Sequence, residues 1–260
     1  MLRPTSPRRA TAFAARARAA ALGAALAAAC ASCVPEGGAT ERGNPTRSSA
    51  PAATAPDAGR GRVDPPLGAG FSDDFERAEL GPEWRALSSV WRIQEGELCA
   101  EAARNRGVWL RRVLPASARI EFDARSESPE GDLKAEVWGD GKSGATEASY
   151  TDATSYLVIL GGWKNTKHVL ARLDEHGKDR VVVEIEDDAQ DPRARRVAPG
   201  QRYHFRIERF DAGTLFVYVD DLLYFELGDR EPLLGEGHDH FGLNDWTAAV
   251  CFDNVKVTPL

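Results

Sequence analysis

Apolar and polar residues alternate along several segments of the chain after residue 70. Residues 119–125 (RIEFDAR) and 203–209 (YHFRIER) alternate charged or polar side chains with apolar ones without interruption. The same period of two continues in residues 132–138, 168–174 and 214–219. Such a period places successive side chains on opposite faces of a strand, one face buried and the other open. The pattern therefore predicts half-buried β-strands.

Glycine and aspartate separate these strands at short intervals. They cluster at residues 131–132, 139–141, 177–179, 211–213 and 220–221. These residue types favour tight turns. About a dozen strands at this spacing, with no long amphipathic segment typical of a helix, predict two packed antiparallel sheets. An all-β sandwich is thus expected over residues 69–260.

The order of several short motifs resembles that of concanavalin A-like jelly-roll domains. The motifs are FSDDF (71–75), LGPEW (80–84), WRIQEGEL (91–98), VYVDD (217–221) and FDNVKV (252–257). The resemblance implies an antiparallel two-sheet jelly-roll β-sandwich and a bias toward saccharide ligands, because that superfamily includes lectins, laminin-G-like modules and glucanases. Asp221 stands where the late turn usually has glycine; Asp accepts a positive φ better than most residues, so the turn is expected to persist.

The N-terminus has the pattern of an export signal. Five arginines and no acidic residue occur in residues 1–33, and an uncharged Ala/Leu-rich run follows the last arginine, from 19 to 29. Eleven helical residues would rise only about 16 Å, short of the ~30 Å of a hydrocarbon layer. Residues 1–29 are therefore predicted to be a signal peptide. The small residues before Cys30 resemble a bacterial lipobox, so Cys30 is the predicted lipidation site and Cys33 the second choice.

A tether is predicted between this signal and the domain, over residues 30–68. Residues 34–68 contain six Pro and six Gly, and only Phe13 among the 21 aromatic residues precedes residue 69. Such a segment buries too little apolar surface to offset its ordering entropy. The sequence thus predicts an outer-membrane or cell-surface lipoprotein held to the membrane by its lipid alone. A secreted or periplasmic protein, cleaved at an Ala-x-Ala site, is the alternative.

Charge argues against a nucleic-acid partner. The formal net charge is −7, and it becomes −12 when the five arginines of the leader are removed. An acidic surface repels phosphate backbones, and no stripe of Lys and Arg interleaved with aromatics is present in the sequence.

Three tryptophans are the candidate platform for a polysaccharide or other glycan. Trp138 has the same strand parity as Glu136 and is expected to point away from the core, while Trp163 and Trp246 lie in turn-rich segments that would border one groove. A broad apolar ring suits the C–H face of a pyranose, and nearby polar groups suit its hydroxyls. The expected polar contacts are Glu136, Asn165, Arg172 and Asn244.

The sequence leaves two other functions open. Glu184, Glu186 and Asp188 would share one strand face at intervals of about 6.6 to 7 Å, as the acids of a glycoside hydrolase or lyase require. The run is similar to that of laminarinase-like enzymes, although the middle and last side chains differ in length. A solvated hairpin end is the favoured interpretation of the segment. A structural envelope module with a protein partner is the third interpretation.

No cofactor is required by any of these functions. A structural Ca²⁺ has a candidate site at Asp73 or Asp74 together with Asp253, because the first and last strands pair in jelly rolls resembling this one and carboxylate oxygens suit a hard cation. Export permits a disulfide between Cys99 and Cys251, but the sequence does not determine whether they approach each other.

Overall fold

The computed structural model describes residues 63–260. The predicted signal peptide, Cys30 and most of the predicted tether lie outside these residues. Within residues 63–260, no helix combines the length and apolar character needed to cross a membrane.

The domain begins before the predicted boundary at residue 69. Leu67 packs in the core, and the buried carboxylate of Asp64 forms ion pairs with Arg85 at 2.8 Å and Arg111 at 3.1 Å. Residues 63–68 therefore belong to the domain rather than to the tether. Composition did not predict this because only two residues of the segment, Asp64 and Leu67, are buried, and the Pro and Gly around them are typical of a tether.

Fifteen strands make up nearly all regular structure of the described chain. They are β1 (Phe71–Asp73), β2 (Trp84–Ala86), β3 (Arg92–Gln94), β4 (Glu97–Glu101), β5 (Val108–Leu110), β6 (Ala118–Ser126), β7 (Leu133–Gly139), β8 (Tyr156–Gly161), β9 (Lys167–Arg172), β10 (Val181–Glu184), β11 (Arg202–Arg209), β12 (Thr214–Val219), β13 (Leu222–Gly228), β14 (His240–Asn244) and β15 (Ala249–Pro259). Two short turns of helix, α1 (Gly162–Asn165) and a 3-10 turn (Pro192–Ala194), complete it.

The strands form two antiparallel sheets, as predicted. One has eight strands in the order β13-β12-β11-β6-β15-β4-β3, with β1 paired to β15. The other has seven, in the order β10-β9-β8-β7-β14-β5-β2. Consecutive strands such as β6 and β7 lie in different sheets, so the chain crosses from one sheet to the other, and strands distant in sequence, such as β6 and β15, become neighbours. This is the connectivity of a jelly roll. The expected pairing of the first and last strands is confirmed by β1 and β15.

Alternating side chains build the core between the sheets. Along β6 every second residue is buried and the others are half-buried, as their alternation predicted. Phe122 of β6 stacks on Phe205 of β11 with ring centroids 4.7 Å apart, and it reaches Phe241 of the opposite sheet at 5.8 Å. Burial of these rings contributes to the hydrophobic stabilisation of the domain.

Two local features close questions raised by the sequence. The turn between β12 and β13 exists with aspartates at both central positions, Asp220 at φ 50° and Asp221 at φ 62°, both left-handed. Cys99 and Cys251 face each other on β4 and β15, with Cα atoms 4.1 Å apart, and they form a disulfide. This bond joins the second half of the β3–β4 hairpin to the last strand.

Candidate functional site

A pocket of about 340 Å³ lies at one end of the outer face of the seven-stranded sheet. It forms where β7 begins and its neighbours β8 and β14 end. Its lining residues are Glu130, Asp132, Lys134, Ala148, Ser149, Ile159, Trp163, Lys164, Glu175, His176, Trp246, Thr247 and Ala248. Trp163 follows β8 and Trp246 follows β14, so the two indoles come from connections on either side of β7.

A left-handed turn positions Trp163. Gly161 has a φ of 73°, and Trp163 itself has a φ of 50°, which turns the chain sharply between β8 and β9. The half-buried indole meets His176 edge to face with centroids 5.5 Å apart, and the guanidinium of Arg180 lies 5.1 Å from its centroid. These neighbours hold the ring in a fixed orientation at the pocket.

Backbone hydrogen bonding positions Trp246. Its N–H donates to Oδ2 of Asp132 at 2.7 Å, which ties the loop after β14 to the start of β7. The guanidinium of Arg104 lies 4.9 Å from the centroid of the half-buried indole, a favourable cation–π arrangement. Each indole therefore lines the pocket and also packs against an arginine, Arg180 for Trp163 and Arg104 for Trp246.

A buried ammonium forms the polar floor. Nζ of Lys134, which is only 3% exposed, donates to Oδ1 of Asn105 at 2.7 Å and to Oε2 of Glu175 at 3.1 Å. Burial opposes the charged form of Lys134, but the carboxylates of Asp132 and Glu175 outweigh this effect and raise its pKa. An ammonium has three donors, and its two partners here use two of them. The third can serve a ligand oxygen in the pocket.

Glu136 lies next to this floor on the same face of β7 but is sealed from the pocket. It is 1% exposed, and its carboxylate accepts hydrogen bonds from the hydroxyls of Tyr150 (2.9 Å) and Ser155 (2.7 Å) and from Nδ2 of Asn244 (2.6 Å). Burial raises the pKa of Glu136 to about 7, although the three hydrogen bonds and Lys134 act in the opposite direction.

The predicted platform is therefore divided. Trp163 and Trp246 line one pocket, but Trp138 is completely buried in the core, and its expected outward orientation is wrong. The reason is a β-bulge: Val137 pairs with Phe241 and Gly139 with His240, which leaves Trp138 as an unpaired extra residue at φ 53°. The bulge reverses the side-chain parity. The guanidinium of Arg209 lies 3.8 Å from the Trp138 ring centroid.

The predicted polar contacts have structural partners instead. Asn165 is buried and binds the backbone of Val197 twice, donating to its O at 2.8 Å and accepting from its N–H at 3.0 Å. Arg172 forms an ion pair with Asp229 at 2.8 Å. Neither residue lines the pocket, and Asn244 and Glu136 bind each other beneath the surface.

The acidic run does not form the expected shared face. Strand β10 ends at Glu184, so Glu186 and Asp188 do not continue it, and Asp188 adopts a left-handed φ of 67°. All three side chains are exposed, and Glu184 forms an ion pair with Lys167 at 3.2 Å. The geometry required for two carboxylates acting on one sugar is absent from this segment, because the polar run forms a turn.

The carboxylates proposed for Ca²⁺ occupy other interactions. Asp73 accepts from Nη2 of Arg77 at 2.8 Å, and Asp253 accepts from Nη1 of Arg202 at 3.1 Å, whereas Asp74 is exposed. A further trio, Glu97 with Cys99 and Cys251, has ligand atoms within 4.8 Å of one another. Because the two sulfurs are bonded to each other, Glu97 would be the only ligand of that trio for a cation.

Sequence reasoning missed Lys134, Glu175 and His176 as pocket residues. Lys134 carried a usable signal, since it shares the parity of Glu136 on a strand that the topology places mid-sheet. Glu175 and His176 lie in the turn after β9, where no periodicity indicates which way a side chain points.

Solved structures with this architecture are similar to the described domain. Comparison of the sequence with protein-family models and with curated proteins finds no match. An endo-acting O-glycanase of the human gut microbiota that initiates mucin breakdown aligns with a TM-score of 0.50 and 15% identity over 73% of this chain and 98% of its own. The potassium-bound carbohydrate recognition domain of Emp46p gives 0.51 and 13% over 74% and 97%. The β-glucanase of Bacillus licheniformis gives 0.50 and 10% over 74% and 99%. Residues 63–260 therefore have the concanavalin A-like jelly-roll fold.

Proposed function

We propose that the domain binds a saccharide in the pocket between Trp163 and Trp246. The observation that carries the proposal is the combination of two half-buried indoles with the buried ammonium of Lys134 in one cavity. The rings offer apolar faces to the C–H surface of a sugar, and Lys134, Asp132 and Glu175 offer a donor and acceptors to its hydroxyls. The fold shared with glycan-binding and glycan-cleaving proteins supports this ligand class.

Binding without cleavage fits the placement of the carboxylates. Glu136 has the raised pKa of a general acid, about 7, but Tyr150, Ser155 and Asn244 occupy its oxygens, and it does not line the pocket. Of the carboxylates that do line it, Glu175 holds Lys134, Asp132 accepts from the backbone N–H of Trp246, and Glu130 is only half-buried. Hydrolysis would require a carboxylic acid within hydrogen-bond reach of the glycosidic oxygen.

A pull-down with insoluble polysaccharides, combined with a reducing-sugar assay, tests the proposal. We expect the described domain to bind at least one polysaccharide without releasing reducing ends, and Trp163→Ala or Trp246→Ala to reduce binding at least tenfold. Phe210→Ala is the matched control, because Phe210 is an aromatic residue 52% exposed and away from the pocket. Unchanged binding by both tryptophan variants would exclude this pocket as the binding site. Release of reducing ends would favour a glycoside hydrolase or lyase.

The cell-envelope location is part of the same proposal and rests on the N-terminal pattern. A lipid on Cys30 would hold the domain at the outer membrane or cell surface. Detergent-phase partitioning of the full chain tests this: the parent protein should enter the detergent phase, and Cys30→Ser should stay in the aqueous phase. Partitioning of the Cys30→Ser protein into detergent would contradict lipidation there, and an aqueous parent would support secretion.

A further inference from the structure

Residues 140–155, here called the covering segment, lie across the outer face of the seven-stranded sheet. Three of its residues, Ala145, Tyr150 and Ala153, are buried in one cluster with the outward-facing side chains of β8 and β9. Those side chains are Leu157, Ile159, Val169 and Ala171. The sheet therefore has a second apolar layer on the side that faces away from the sandwich core.

Hydrogen bonds fasten the covering segment to strands along most of the sheet. The indole Nε1 of Trp109 on β5 donates to Ser143 O at 2.9 Å, and the hydroxyl of Tyr150 donates to Glu136 on β7 at 2.9 Å. Beyond β9, the N–H of Glu175 donates to Tyr150 O at 3.0 Å. Contacts of this number and burial make the segment a packed part of the domain rather than a loose loop.

Two glycines make room for the Trp109 indole between the sheet and the covering segment. A Cβ on Gly242 of β14 would stand 2.8 Å from the Trp109 ring, and one on Gly139 of β7 would stand 2.6 Å from it. The indole can therefore pack directly against both strands only because these positions lack side chains. Trp109 is fully buried as a result.

The layer closes the middle of this face to a ligand. Trp109 of β5, Glu136 of β7, Leu157 of β8 and Asn244 of β14 all point outward from the sheet, yet each is at most 1% exposed. An extended glycan cannot lie along these strands without displacing the covering segment. The pocket of about 340 Å³ beside Ala148 and Ser149 remains at the end of the layer, and this is near the lower limit of ligand pockets, ~300 to 1,000 Å³.

We propose that the pocket receives the terminal one or two residues of a glycan, and that it does not bind internal segments of a polysaccharide. This inference rests on the proposed function. The covering segment sets the preference because it occupies the middle of the sheet face, so it blocks the path that an internal segment would need on that side of the bound residues. Specificity for chain ends would then come from the packing of the covering segment on the sheet, rather than from a single contact between the pocket and the sugar.

A chain-length series tests the inference with the described domain. The probes are gluco-, galacto-, manno- and N-acetylglucosamine-based oligosaccharides of two to six residues, together with their parent polysaccharides, titrated by calorimetry. For the series that binds, we expect Kd per mole of chains to change less than threefold from the disaccharide to the hexasaccharide, with one protein bound per chain. Partial hydrolysis of the parent polysaccharide at constant mass should raise its binding capacity in proportion to the number of ends.

Other outcomes overturn the two proposals separately. A steady rise in affinity with length, several proteins per long chain, or a capacity that does not change on partial hydrolysis would contradict recognition of ends while leaving saccharide binding in place. No binding to any probe would refute the proposed function, and the inference with it. Trp163→Ala should weaken all oligomers of the bound series by the same factor, since every length uses the same pocket.

Discussion

The buried carboxyl of Glu136 should make the stability of the domain depend on pH in a direction unusual for an acidic residue. Replacing it with glutamine, Glu136→Gln, keeps its shape and removes its titration. The amide oxygen can still accept from Nδ2 of Asn244, and the hydroxyls of Tyr150 and Ser155 can rotate to accept from the new amide N–H groups. The substitution therefore removes a proton-binding site with little loss of packing.

The sign follows from the raised pKa. Folded Glu136 holds its proton up to about pH 7, whereas the unfolded chain releases it near pH 4.5. Between these values the folded state binds the extra proton, so the free energy of unfolding contributed by this group falls as the pH rises. Each pH unit is worth about 1.4 kcal/mol, which gives about 3 kcal/mol over the interval. The contribution is fully present below pH 4.5 and lost above pH 7.

Urea unfolding at pH 4 to 8 measures this effect as a difference between the two proteins. Asp245, His168 and the other titrating groups are common to both and largely cancel. We expect the variant to gain about 3 kcal/mol relative to the parent between pH 4.5 and 7, and nothing further above that range. Glu184→Gln, at an exposed carboxyl, is the matched control and should show no such gain. A flat difference curve for Glu136→Gln would refute the assignment of a buried, protonated carboxyl.

Two further predictions concern the core and the disulfide. Trp138→Ala should lower the free energy of unfolding by about 3 to 5 kcal/mol because it empties a fully buried site, whereas an outward-facing tryptophan would give a loss below about 1 kcal/mol in the same urea titration. Cys99→Ala combined with Cys251→Ala removes a bond that closes a 152-residue separation and should cost about 4 to 5 kcal/mol. A double variant as stable as the parent under oxidising conditions would show that the bond does not form.

Strand positions and turn chemistry were predictable because each depends on neighbouring residues. The alternation of β6 and β11 directly gave buried and open faces, and the Asp220-Asp221 turn followed from the tolerance of aspartate for a left-handed φ. The resemblance to jelly-roll domains depended on these same local motifs in the correct order. Local rules thus sufficed for the architecture.

The site was harder to predict because long-range packing decides it. One bulged residue turned Trp138 into the core, and alternation contains no information about where a bulge falls. The covering segment, residues 140–155, has no period of its own, so its burial of Glu136 and Asn244 becomes visible only in three dimensions. The two tryptophans on turns, Trp163 and Trp246, were found because their immediate sequence context differs from that of a strand.

The six tryptophan indole N–H signals in a ¹H–¹⁵N spectrum provide the most direct test of saccharide binding at this pocket. Four indoles donate to internal acceptors: Trp84 to Asp73, Trp91 to Arg106 O, Trp109 to Ser143 O and Trp138 to Pro115 O. The other two, Trp163 and Trp246, line the pocket. On titration with a bound oligosaccharide, the signals of Trp163 and Trp246 should shift together and saturably while the other four stay in place. Shifts confined to the four internal indoles, or saturable binding that moves neither Trp163 nor Trp246, would contradict the account.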